Sequence, residues 1–77
     1  MPLVVLENNV HVEYTRNKNL FNIRLVDADY VEEFITVPSN MFPASNDVGS
    51  CEIKAQTAAE LGFDLIYVWE VARDERN

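Results

Sequence analysis

Residues 10–26 read VHVEYTRNKNLFNIRLV, and this stretch decides the fold. Apolar and polar residues alternate over 10–15 and again over 20–26, which is the pattern of strands with one buried face. The polar residues between them, 15–19, are typical of a turn. The stretch therefore predicts two antiparallel strands joined by a tight connection.

A third strand is expected in front of this pair. Residues 3–7 form a short apolar run, and Asn8 and Asn9 follow it. Asparagine tolerates the positive φ that a tight hairpin needs. Three consecutive antiparallel strands would then form a meander.

The segment after the meander has two interpretations. Residues 30–37 alternate as a strand would, although that register turns Glu33 inward. Asp29 and Glu32 instead have the capping-box spacing of a helix start. The β-branched residues 35–37 favour a strand, at least from that point.

The second half of the chain contains a loop, a strand and a short helix. Residues 38–50 are rich in Pro, Gly and small polar residues and predict a loop, in which 41–43 form an apolar turn. Residues 51–55 are expected to form a strand. Thr57 and Glu60 have the capping-box spacing and Gly62 is a helix stop, so one short helix is expected near 57–62.

The last apolar stretch also has two interpretations. Over 63–71 the residues alternate with both faces largely apolar, as in a central strand. A helix over 58–72 is the rival, but Gly62 in its interior and the β-branched and aromatic content count against it. The predicted fold is mainly β (α+β): a single domain over 1–77 with an antiparallel sheet of about five strands, one short helix, and a flexible charged tail at 73–77.

The chemistry available to the chain is limited. It has one cysteine, Cys51, and one histidine, His11, so an internal disulfide and a Cys/His zinc site are both excluded. The only glycines are Gly49 and Gly62, which leaves no phosphate-binding loop. We therefore expect no catalytic residues, no metal site and no cofactor. The free cysteine and the lack of a signal peptide or apolar span predict a cytoplasmic protein.

Charge is distributed unevenly along the chain. Residues 25–53 contain no Lys or Arg but hold six of the 13 acids, so this stretch carries −6 of the net charge of −7. Such an uneven charge creates an electrostatic field, which acts mainly on a molecule that approaches the protein. It argues against direct binding to nucleic acids or anionic membranes. The plain alternative is a solvated surface that aids solubility.

The acids of this stretch are interleaved with large apolar side chains, as in many binding surfaces. The hypothesis is a non-enzymatic module that docks on a basic protein surface. The expected partner-binding residues are Asp27, Asp29, Tyr30, Glu32, Glu33, Phe34, Met41, Phe42 and Asp47.

A basic surface of this kind is common in nucleic-acid-binding enzymes, where an acidic protein can occupy the phosphate groove. In size, solitary domain and charge the chain resembles small phage and mobile-element proteins that inhibit or regulate host enzymes by such mimicry. The competing hypothesis is a structural or self-assembling homo-oligomer that shares the apolar faces of residues 63–72 between subunits. A small domain without a disulfide or metal often gains stability by pairing with a second copy.

Overall fold

A computed structural model of the chain describes residues 5–26 and 34–75. Their elements, in chain order, are β1 (Asn9–Asn17), β2 (Leu20–Leu25), β3 (Phe34–Pro38), a 3-10 turn (Ser39–Met41), β4 (Val48–Lys54), α1 (Ala55–Leu61) and α2 (Leu65–Glu75).

The four described strands form one antiparallel sheet in the order β3-β2-β1-β4. The predicted meander exists, but its members are β1, β2 and β3. The β1–β2 ladder extends to the pair Asn17 and Leu20, so only two residues make the turn, and Lys18 takes a φ of 61° there. The described residues therefore form a sheet of four strands where about five were predicted.

The predicted hairpin at Asn8 and Asn9 is wrong. The backbone N–H of Asn8 donates to the carbonyl of Val5 at 3.0 Å, which closes a turn, and β1 begins at the next residue. The second neighbour of β1 is β4, with Asn9 opposite Lys54. This pairing joins strands that are far apart in the sequence, and no local sequence pattern predicts it. Residues 3 and 4 lie outside the described range.

The interpretation of residues 63–71 as a strand is also wrong, because α2 occupies most of this stretch. Its N-terminus has a local cap: the N–H of Tyr67 donates to the Asp64 carboxylate at 3.1 Å. Gly62 ends α1 with a φ of 131°, so the rival single helix over 58–72 is interrupted there. α2 continues to Glu75, which places the first residues of the predicted tail in a helix.

The short helix predicted near 57–62 is confirmed, although it begins earlier, at Ala55. The capping box does not form its start, since no side chain caps the helix. Backbone carbonyls accept the first free N–H groups instead: Ala55 donates to Asn8 at 2.8 Å and Gln56 to Leu6 at 3.0 Å.

The strand interpretation of the ambiguous segment is confirmed from residue 34 onward, while residues 29–33 lie outside the described range. Phe34 and Thr36 point outward, and Val37 is buried. The predicted loop over 38–50 is shorter than expected, since the 3-10 turn opens it and β4 begins at Val48.

One face of the sheet, the inner face, packs against the helices. It buries alternate residues of the strands together with Phe63, Val68, Val71 and Ala72 from the helical part. Tyr14, Phe21 and Phe42 form an edge-to-face aromatic cluster at one end of this core. The opposite face, the open face, carries exposed side chains from all four strands.

Candidate functional site

The residues expected to bind a partner divide into two groups. Asp27, Asp29, Tyr30, Glu32 and Glu33 lie outside the described residues. Phe34, Met41, Phe42 and Asp47 lie within them, and their positions show which can act together. The residues that flank the undescribed segment also show where the chain leaves the sheet and where it rejoins it. The four acids lie between these two points in the sequence.

Phe34 is the best placed of the described candidates. It opens the edge strand β3 on the open face, and its side chain is 61% exposed. In the chain it follows Glu32 and Glu33 directly. The exposed phenyl ring offers apolar contact area at this position.

Phe42 is a core residue, which corrects its assignment as a contact residue. Its side chain is 3% exposed, and its ring centroid lies 5.4 Å from those of both Tyr14 and Phe21. The Phe42 side chain covers one end of the inner face and is not accessible to a partner. Met41, its neighbour, is 59% exposed and remains available.

Met41 and Asp47 lie at the end of the sheet where β3 ends and β4 begins. The 3-10 turn that ends at Met41 is tied to the β1–β2 turn, since the N–H of Ser39 donates to the carbonyl of Asn19 at 2.8 Å. The carbonyl of Asp47 accepts the N–H of Arg16 at 2.6 Å. We call this end, with Arg16, Lys18, Met41 and Asp47, the turn end. The bases of the turn end come from β1 and from the β1–β2 turn. In the folded chain, this part of the base-free stretch therefore lies close to basic residues.

The remaining acid of the base-free stretch lies at the opposite end. Glu52 of β4 is paired with His11 of β1, and the His11 carbonyl accepts the N–H of Val26 at 2.9 Å. Val26 is the residue before Asp27. At about 3.3 Å per strand residue, Glu52 and Asp47 are separated by roughly 16 Å along the strand.

The end at which β1 begins and β4 ends therefore concentrates negative charge, and we call it the acidic end. Val26, which precedes the segment with four acids, is part of it, and Phe34, which follows that segment, lies beside it, level with Ser50 of β4. The described acids of the acidic end are Glu7, Glu52 and Glu60, and its described base is Lys54, while Glu13 and Arg24 lie beside it, level with the middle of β1.

Lys54 and Arg24 both have acceptors close by. Arg24 Nη2 lies 2.7 Å from Glu13 Oε1, and Lys54 Nζ donates to the backbone carbonyl of Glu7 at 3.2 Å. Sequence reasoning did not identify Glu7, Glu13 and Glu60 as part of the site. The pairing of β1 with β4 brings Glu7 and Glu60 to it, and no signal in the sequence marks that pairing.

The described part of the site does not favour nucleophilic chemistry. Cys51 lies on the inner face of β4, and burial raises the pKa of its thiol. A raised pKa keeps the thiol protonated at neutral pH, which makes it a weak nucleophile. Within residues 5–26 and 34–75, no three His, Cys, Asp or Glu side chains are grouped to hold a metal ion.

The fold and site together define a small two-layer α+β domain with an open sheet face and one acidic end. Comparison with protein-family models, curated proteins and solved structures finds no match for the chain. In the described parts of the chain, no helix is both long enough and apolar enough to cross a membrane.

Proposed function

We propose that this protein is a non-enzymatic protein-binding module whose acidic end docks on a basic surface of a partner protein. One observation carries the proposal. Of the two residues that flank the segment with four acids, Val26 is level with Glu52 in the sheet, and Phe34 is level with Ser50, two residues further along β4. The segment with four acids therefore leaves the sheet level with Glu52 and rejoins it nearby, which supports a docking surface on this side of the fold.

The two kinds of side chain at this end would have different roles. The carboxylates would steer a positively charged partner and raise the association rate, an effect that salt screens. Phe34 would add buried contact area once the partner has arrived. Met41 and Asp47 are at the turn end and Phe42 is in the core, so we leave these three out of the proposed surface.

Charge mimicry is the form of regulation that this arrangement supports best. The carboxylates of the acidic end would present negative charge as a nucleic acid backbone does, and basic grooves that bind phosphates would accept it. The protein would then act as an inhibitor or regulator of a nucleic-acid-binding enzyme, as small phage or mobile-element proteins do.

The test begins with the immobilised protein and a lysate of its source organism at about 50 mM and about 500 mM NaCl, a range over which screening grows strongly. Proteins that bind only at low salt are identified, purified and titrated against the wild type. Duplex DNA added in excess should displace the protein from such a partner. Binding that survives high salt and ignores DNA would contradict charge mimicry.

Self-association is a second candidate, favoured by the exposure of Leu65 and Ile66 at the start of α2. The buried residues of this helix, Val68, Val71 and Ala72, serve the chain's own core, so only its first turn is left to share. Light scattering over a range of concentrations tests this candidate. A constant monomer mass would remove it.

A further inference from the structure

A groove of about 590 Å³ lies at the acidic end, between the turn at residues 5–8 and the two helices. It is separate from the open face that carries Phe34. The residues that line it are Leu6, Glu7, Gln56, Ala59, Glu60 and Leu65.

The walls of the groove are fixed by backbone hydrogen bonds. Gln56 donates to the carbonyl of Leu6 at 3.0 Å, which holds the turn against the start of α1. The reversal at Gly62 then brings Leu65 back beside α1. The backbone of the turn and that of α1 are therefore held together, with the exposed side chains of Glu7, Gln56, Glu60 and Leu65 around the groove.

The lining combines an apolar floor with acidic edges. Leu6 and Ala59 are half-buried, and Leu65 is 55% exposed. Glu7 and Glu60 are exposed and supply negative charge, and none of the lining residues is a base. The nearest described base, Lys54, donates to the backbone carbonyl of Glu7.

We propose that this groove binds a short amphipathic, basic segment of the partner protein. One of its large aliphatic side chains would seat on Leu6, Ala59 and Leu65, and its Lys or Arg side chains would face Glu7 and Glu60. A second copy of this chain is a poorer occupant, because its acids would meet like charges at the edges. The proposal rests on the proposed function, since it names the element of the basic partner that binds.

The probe is a fluorescent synthetic helix of about 14 residues, or four turns, with Leu along one face and Lys on the other. A matched peptide carries Gln in place of each Leu at equal charge. The peptides are titrated at low salt, and amide shifts of the ¹⁵N-labelled protein locate the bound probe. We expect shifts at residues 5–7, 56–60 and 65, and binding about tenfold weaker for the Gln peptide, because burial of a leucine is lost.

The variant Ala59→Arg should block the groove with both bulk and positive charge. It should weaken the binding of the Leu peptide by about tenfold or more. Val48→Arg is the matched control, since Val48 is an exposed apolar residue of β4 outside the groove. It should leave the affinity almost unchanged. Thermal melting confirms that both variants remain folded.

Several results would overturn the groove proposal. Absence of Leu-peptide binding at low salt would do so, as would equal affinity of the two peptides or shifts centred on Phe34. A mass that grows with concentration and returns to the monomer in Ala59→Arg would assign the groove to a second copy. The function proposed above is judged separately, by the effect of Glu32→Gln and Glu33→Gln on capture of the natural partner. Capture that needs those acids but tolerates Ala59→Arg would reject the groove alone.

Discussion

Arg24 of β2 is the residue directly across the ladder from Phe34 of β3. Its guanidinium also contacts Glu13 on β1, with Nη2 2.7 Å from Oε1. A base from another part of the chain is thus placed beside the exposed ring that follows Glu32 and Glu33. In the proposed docking surface, Arg24 would offset part of the negative charge.

Replacing this base should strengthen attraction to a basic partner. We expect Arg24→Gln to raise the association rate by about two- to threefold at low salt, because one positive charge is removed from the docking end. The loss of the partly exposed ion pair should cost only about 0–1 kcal/mol of unfolding free energy. Stopped-flow association and urea denaturation measure the two effects. Lys18→Gln, at the turn end, is the control and should leave the rate nearly constant.

Phe34 and Phe42 should respond in opposite ways to truncation. Phe34→Ala removes an exposed ring, so stability should change by less than about 0.5 kcal/mol while partner affinity falls. Phe42→Ala opens a cavity beside Tyr14 and Phe21 and should cost about 3–5 kcal/mol of unfolding free energy. Denaturant titration and binding isotherms of both variants check this pair. Equal affinity of Phe34→Ala and the wild type would remove Phe34 from the surface.

A side chain at Gly49 should destabilise the fold, because Tyr14 packs against this glycine. A Cβ at this position would lie 2.9 Å from the hydroxyl oxygen of Tyr14 and 3.2 Å from its Cζ. The Tyr14 ring is held by Phe21 and Phe42, so it cannot move away without disturbing the cluster. Gly49→Ala should therefore lower the unfolding free energy by about 1–3 kcal/mol. Ser50→Ala, its exposed neighbour, should have little effect in the same thermal melts.

The patterns that predicted the fold correctly are local ones. Alternation over residues 10–15 and 20–26 predicted β1 and β2 because one face of each strand is buried and the other exposed. The strand prediction for residues 63–71 was wrong because apolar residues are dense there. Both the two-residue period of a strand and the 3.6-residue period of a helix fit this stretch. The deciding signal was Asp64, whose carboxylate caps α2 after the break at Gly62.

The candidate site was predictable in composition but not in arrangement. The base-free stretch marked Phe34 and the acids before it. Its division between two ends of the sheet depends on the pairing of β1 with β4, which links Asn9 to Lys54. Phe42 shows the same limit, since an aromatic residue in a polar loop can serve the core or a surface, and only packing distinguishes them.

The Cys51 thiol should react slowly in the folded protein. Burial raises its pKa, so at about pH 8 a smaller fraction is thiolate than in an exposed cysteine. Alkylation by iodoacetamide should be several-fold slower in the native state than in urea, after correction with a cysteine peptide. The native rate should rise as pH increases towards the raised pKa. Equal native and unfolded rates would contradict the burial of this side chain.

The most direct test of the acidic end compares two sets of carboxylates on the same protein. The association rate of the purified partner is measured from about 50 to about 500 mM NaCl for the wild type, for Glu32→Gln with Glu33→Gln, and for Asp47→Asn. We predict a rate that falls steeply with salt in the wild type, a lower rate and a shallower slope in the double variant, and an unchanged profile for Asp47→Asn at the turn end. Three superimposable profiles, or a loss confined to Asp47→Asn, would contradict the assignment of docking to the acidic end.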